Sequence, residues 1–118
     1  MFRSCTARGL ATICIGVVLA SCGVSSEEAA LRHVTRGDEY LAKKQYQQAI
    51  VEYRSAVQQR EQSGELRYKL AAAYEAAGDT RSAIREFIRA ADLLPDNNEA
   101  QLKAATYLLV RQTSSKRL

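Results

Sequence analysis

The side chains that could do chemistry in this chain are few and scattered. His33 is the single histidine among 118 residues. A metal site needs several ligands, and a nucleophile needs a base held by an orienting group; the sequence gives His33 neither. The acidic pairs are Glu27-Glu28 and Asp38-Glu39. Adjacent residues point to different sides of a helix, so both pairs read as solvated faces. The glycines form no phosphate-binding loop. Arg81, Arg85 and Arg89 recur every fourth residue, a row that suits anionic lipid headgroups or plain solvent. A nucleic-acid surface needs a denser basic face than a net charge of +4 supplies. No catalytic residue, metal, cofactor or nucleic-acid partner is therefore expected, and His33 is assigned to packing.

Cysteine carries a different chemistry. Arg3 and Arg8 precede an apolar run from Gly9 to Ala20, which is followed by Ser21 and Cys22. A basic start, a short apolar core and small residues before a cut describe a secretory signal. The run falls well short of the roughly 20 residues that a spanning helix needs. Cleavage before Cys22 removes residues 1–21, with Cys5 and Cys14 among them, so Cys22 has no thiol partner in the chain. Leu19-Ala20-Ser21-Cys22 resembles the lipobox of bacterial lipoproteins. The resemblance implies a diacylglyceryl group on the Cys22 sulfur and often an acylated amine. Two or more acyl chains anchor stably, at about 0.8 kcal/mol per buried CH₂. It further implies a lipid-anchored protein of the bacterial cell envelope. Gly23, in place of Asp, points by the same resemblance to the outer membrane, facing the periplasm. Losing the segment also removes two of the 17 basic residues, so little net charge remains.

The elements that position these residues are all helical by pattern. Ser25-x-x-Glu28 matches a capping box, which leaves residues 22–25 as lipidated Cys and short tether. Leu31, Val34, Asp38 and Leu41 share one face of the helix that follows. Lys43-Lys44-Gln45 is a polar break. Tyr46, Ala49, Ile50, Tyr53, Ala56 and Val57 then follow the spacing of a buried helical stripe. Glu61 to Gly64 is the next break, with Ser63 as cap. Leu66, Leu70, Ala73, Tyr74 and Ala77 make a third stripe, and Gly78-Asp79 a turn. Ala83, Ile84, Phe87, Ala90 and Ala91 make a fourth, closed by Pro95. Asp96-x-x-Glu99 is expected to cap a fifth helix carrying Leu102, Ala105, Leu108 and Leu109. Residues 113–118 read as a frayed polar tail.

Tyr40, Ala49, Ile50, Glu52, Tyr53 and Ala56 recur 34 positions later as Tyr74, Ala83, Ile84, Glu86, Phe87 and Ala90. A fixed period with small and aromatic residues in register marks a stacked repeat. These positions resemble the tetratricopeptide repeat, a helix–turn–helix unit of that length. The second unit, 64–97, matches through Leu70, Ala71, Tyr74, Ala83, Phe87, Ala90 and Pro95. The first, 30–63, matches through Gly37, Tyr40, Ala49, Tyr53 and Ala56, and departs at Arg36, Glu61 and the Lys44-Gln45 turn. Residues 98–111 look like the first helix of a third unit. The domain thus runs over 26–112.

The resemblance implies an all-α stack of about two and a half antiparallel hairpins, wound as a short right-handed superhelix. Its first helices would line a concave groove for a protein or peptide. By repeat position the groove residues are Leu31, Val34, Asp38 and Leu41, then Glu65, Tyr68, Ala72 and Glu75, then Glu99, Leu102, Thr106 and Leu109. Lys69 and Lys103 are the nearest approach to a carboxylate clamp, with Thr35 in the equivalent first position. Repeats of this kind make surfaces and seldom make reaction centres, so a scaffold in an envelope assembly, secretion or polysaccharide-export system is expected. Self-association through the apolar last helix, or binding of cell-wall glycan or its enzymes, are the alternatives.

Overall fold

A computed structural model describes residues 25–117. The signal, Cys22, Gly23 and Val24 lie outside the described residues. Five helices follow in order: α1 (Ser26–Ala42), α2 (Tyr46–Gln59), α3 (Gly64–Ala76), α4 (Thr80–Leu93) and α5 (Asn98–Ser115). Among the described residues no strand occurs. Each helix packs on the next in the chain, as short connections between antiparallel neighbours require.

Local chemistry sets the helix starts. Ser25, Ser63, Asp79 and Asn97 each accept a hydrogen bond from the backbone N–H three residues on, at 3.2, 3.4, 3.1 and 3.0 Å. One orphan donor is satisfied at each of these ends. The fifth cap is therefore Asn97 and not Asp96: the turn after Pro95 brings the asparagine oxygen to Ala100 N. The tail expected from residue 113 is helical through Ser115. Thr113 Oγ1 donates to Val110 O at 2.9 Å and Lys116 N to Gln112 O at 3.2 Å within this last turn.

The two hairpin turns share one backbone form despite different sequences. Gln45 N donates to Tyr40 O at 2.9 Å and Lys44 N to Leu41 O at 3.0 Å; Asp79 N donates to Tyr74 O and Gly78 N to Glu75 O at the same lengths. This paired closure needs a left-handed residue after the helix. Gly78 fills it at φ +82 with open space around it. Lys44 fills it at φ 58, and is the one non-glycine residue of positive φ among the described residues.

The core is built of rings set on small residues. Tyr53 and Phe87 are the largest fully buried side chains, among Ala49, Ala56, Ala71, Ala83 and Ala90 at 0% exposure. A Cβ added to Gly37 would lie 2.6 Å from Tyr53 Cε1, so the ring rests directly on the α1 backbone. In the second hairpin Ala71 and Phe87 share a cluster with Ala83. Leu70 joins α3 to the Tyr53 cluster on α2, and Tyr40 and Tyr74 are half-buried against it. Pro95, assigned to repeat packing by resemblance, is instead exposed. Its neighbours do that work: a Cβ on Gly64 would meet Leu94 Cγ at 2.5 Å and Leu93 Cβ at 3.0 Å. Pro95 acts as a stop because it has no N–H to continue α4.

Two opposite outcomes are expected in thermal melts. Gly37→Ala gains helix propensity but drives a methyl into a buried ring, and should destabilise by about 1–3 kcal/mol. Lys44→Gly relieves a left-handed side chain and should stabilise by about 0.5–1 kcal/mol, or several degrees in Tm for a domain of this size.

Candidate functional site

The first helix of each unit lies beside the next, and side chains tie them together along one face. Lys69 Nζ donates to Asp38 Oδ1 at 2.8 Å, joining α3 to α1. Lys103 Nζ lies 3.0 Å from both carboxylate oxygens of Glu75, joining α5 to α3. Tyr68 O–H donates to Glu99 at 2.5 Å, and Tyr107 O–H donates to Glu75. Each lysine also sits over a core ring: Lys69 is 5.9 Å from the Tyr53 centroid and Lys103 is 5.4 Å from that of Phe87. Such contacts favour the cation modestly. The two lysines thus repeat one arrangement of ring below and carboxylate beside. They are compensated already and do not form a free carboxylate clamp.

Titration follows from this lacing. Burial pushes the Asp38 carboxyl up, but hydrogen bonds from Lys69 and Tyr53 outweigh it and hold the carboxyl below its ordinary value. The Tyr107 hydroxyl does the same for Glu75 against a smaller effect of burial, with Lys103 adding to it. The phenols respond in the opposite sense. Burial and the Glu99 carboxylate push Tyr68 up to about 12, and Glu75 with burial does the same to Tyr107.

The apolar residues expected in the groove divide into two sets. Leu31, Leu102 and Leu109 stand 65%, 69% and 63% exposed. Leu31, Val34 and Glu65 meet around a crevice of about 250 Å³ between α1 and α3, with Glu27, Arg60 and Lys69 at its rim. Leu41 and Ala72, by contrast, pack partly against the clusters of Tyr53 and Phe87. They are walls of the core, because the helix turn that carries them leans on the second helix. Tyr68 is a wall too: its ring meets Phe87 edge-on at 5.3 Å. Thr106 spends its hydroxyl on Leu102 O at 2.8 Å.

One repeated contact escaped the sequence reading. Arg67 NH1 donates to Glu86 Oε2 at 3.0 Å, and one period earlier His33 Nδ1 donates to Glu52 Oε2 at 2.7 Å. Both pairs join first helix to second across 19 positions. Arg36 NH2 is 3.1 Å from the same Glu52 oxygen and 3.0 Å from His33 Nδ1. Arg36 thus reaches Glu52 as an ion pair, and its NH2 lies within hydrogen-bond distance of His33 Nδ1. His33 therefore ties a hairpin together and does not simply fill space. Arg36, the departure from leucine, shares the task. In the third register position Gln101 Nε2 donates to Ala91 O at 2.7 Å and Leu94 O at 3.3 Å. The signal was available: Glu52 and Glu86 are in period, each with a donor 19 residues before it. Glu86 is buried, and Arg85 Nε and Arg89 NH1 approach it at 3.4 and 3.5 Å.

Among the described residues no three His, Cys, Asp or Glu side chains come together as a metal site, and no helix is long and apolar enough to cross a membrane. Hairpins that repeat with a ring on a small residue, laced along their first helices, define a helical repeat protein whose chemistry lies in its surface. Residues 40–106, more than half of the chain, match the tetratricopeptide repeat, and the chain belongs to that family. Domains of this family are protein-interaction modules, which assigns the chain a role in binding other proteins. No curated protein matches the chain.

Asp38 and Glu75 have lowered pKa values in the fold. Their contribution is complete above the unfolded carboxylate range of about 4 and is lost as pH falls through the lower folded values. Tm should therefore drop on acidification below about pH 4. The double variant Asp38→Asn, Glu75→Gln should start lower at neutral pH and show a flatter acid limb. An unchanged acid limb would show that the lacing has no energetic weight.

Proposed function

We propose that this chain is a lipid-anchored scaffold of the bacterial cell envelope. Cys22 holds it at the outer membrane on the periplasmic side, and the face of α1, α3 and α5 receives an extended peptide or a helix of another envelope protein. The system served is an assembly, secretion or polysaccharide-export machine. The docking half is carried by the exposure of Leu31, Leu102 and Leu109 on a face where Asp38 is paired with Lys69 and Glu75 with Lys103. Covering such side chains gains about 25 cal/mol per Å² and leaves few charges to be desolvated. The membrane half draws on the basic start, short apolar run and Leu19-Ala20-Ser21-Cys22. The short tether to the Ser25 cap would keep the folded stack close to the lipid.

A second reading, in which α5 joins copies of the chain, draws on Leu109 and Val110, which are 63% and 57% exposed. Binding of cell-wall glycan or its enzymes is a third, tested by pull-down with purified sacculi.

The test places a photoreactive side chain at residue 102 in intact cells and identifies what it captures. The scaffold reading expects one envelope protein, and labelled palmitate entering the wild type but not Cys22→Ser. Absence of label removes the membrane half. Sedimentation of the delipidated protein as an oligomer that Leu109→Asp dissolves favours the second reading.

A further inference from the structure

The register that closes both hairpins runs on into α5. Gly37 lies under Tyr53, Ala71 shares a cluster with Phe87, and Ala105 is the third member of that series. Leu108 follows Tyr40 and Tyr74 in the same way. Yet Ala105 is exposed and Leu108 is 42% exposed. Ala105 borders the strip that carries Leu102 and Leu109, and Leu108 lies on its other side, three residues from Arg111. Beside it α4 and α5 enclose an open groove of about 730 Å³, with Ile84 and Ile88 along its floor and Arg81, Arg85, Arg89 and Arg111 around it. The lining holds no acid. Glu86 meets Arg85 and Arg89 only at 3.4 and 3.5 Å and already holds Arg67 at 3.0 Å, while Asp79 is the other acid near Arg81 and Arg85, so the four arginines of the groove keep an excess of positive charge.

We propose that this step is a seat for an acidic amphipathic helix of a partner protein. The helix would lie along α5 and against α4, as α4 lies against α3. It would set a Tyr or Phe over Ala105 and its Asp or Glu side chains towards Arg81 and Arg111. The shape follows from continuity with an interface that the chain forms twice within itself. The charge follows from the arginines, since opposite charge across a contact gives both specificity and a faster encounter. A second copy of the chain fits poorly: its own α5 would bring Arg111 and Lys116 against the same cations. This surface goes beyond the groove face proposed above and does not depend on it.

The probe is a synthetic peptide copying residues 79–94 with Arg81→Glu, Arg85→Glu and Arg89→Glu, so that Phe87 is kept and the basic row becomes acidic. Binding to the full-length chain in detergent is followed by fluorescence anisotropy, with the unaltered basic copy alongside. The acidic peptide should bind at least about tenfold more tightly than the basic copy, and less tightly as salt is raised. Phe87→Ala in the peptide, or Leu108→Asp in the protein, should each cost about tenfold or more, as loss of a central anchor does. Arg111→Glu in the protein, a surface change that leaves the fold intact, should weaken the acidic peptide and strengthen the basic one. Leu31→Asp, on the other face, should change nothing. Equal binding of the two peptides overturns the proposal. So does indifference to both Leu108→Asp and Arg111→Glu, or a chain that sediments as a dimer which Leu108→Asp separates.

Discussion

The contact on which this fold depends is a ring laid on a residue with almost no side chain. Tyr53 rests on Gly37 so closely that a single added carbon would fall inside its van der Waals surface. Short helices are marginal alone in water, and these have 13 to 18 residues. They persist because close approach lets one large ring bury itself against two helices at once. The same demand explains the many alanines. Ala49, Ala56, Ala83 and Ala90 are fully buried because anything larger would hold the helices apart and lift the rings from their seats.

The face that could bind a partner is a by-product of this packing. Spacing first helices side by side brings their polar residues within reach, and lysines bridge the gaps. Asp38–Lys69 and Glu75–Lys103 are more than a third exposed at each side chain, so each pair is worth at most about 1 kcal/mol. Their larger effect is on what remains available. Charges that already have partners repel no incoming surface strongly, and the leucines between them keep their water. The buried Arg67–Glu86 pair is a different case. It lies where the first and second helices meet, and losing one partner would strand the other away from solvent.

How much of this could be read from the sequence depended on the type of interaction. The stripes, the breaks at Lys44 and Gly78, and the pairing of Tyr53 with Phe87 were legible, because burial and turn geometry impose period and residue type directly. The lacing was not. Asp38, Tyr68 and Glu75 share one face by repeat position, but their partners depend on how far each long side chain reaches from a neighbouring helix, which no period records. Leu41 and Ala72 stand at groove positions, yet as apolar side chains they pack partly against the clusters of Tyr53 and Phe87. Pro95 occupied the family position without the family contact, because Leu93 and Leu94 had already closed on Gly64. Glu52 and Glu86 were noticed as repeats, but their donors His33 and Arg67 differ in kind. A search for like residues passes over a contact conserved only in its chemistry.

The two ends of the stack are unlike, and the register shows why. On α3 the strip that packs on the preceding helix is Leu66, Leu70, Ala73 and Ala77, gathered around Tyr53. One period earlier the same strip of α1 reads Arg32, Arg36, Glu39 and Lys43, all exposed. Among the described residues that strip leaves nothing apolar uncovered, so this side of α1 presents charge to its surroundings. At the other end α5 keeps Ala105 and Leu108 on the side where a further helix would pack. A stack charged at one end and open at the other has a direction. With lipid at Cys22, the charged end would face the membrane, where charged residues meet headgroups and water. The α5 surface would then lie at the far end of the stack, within reach of a partner that approaches from the aqueous side.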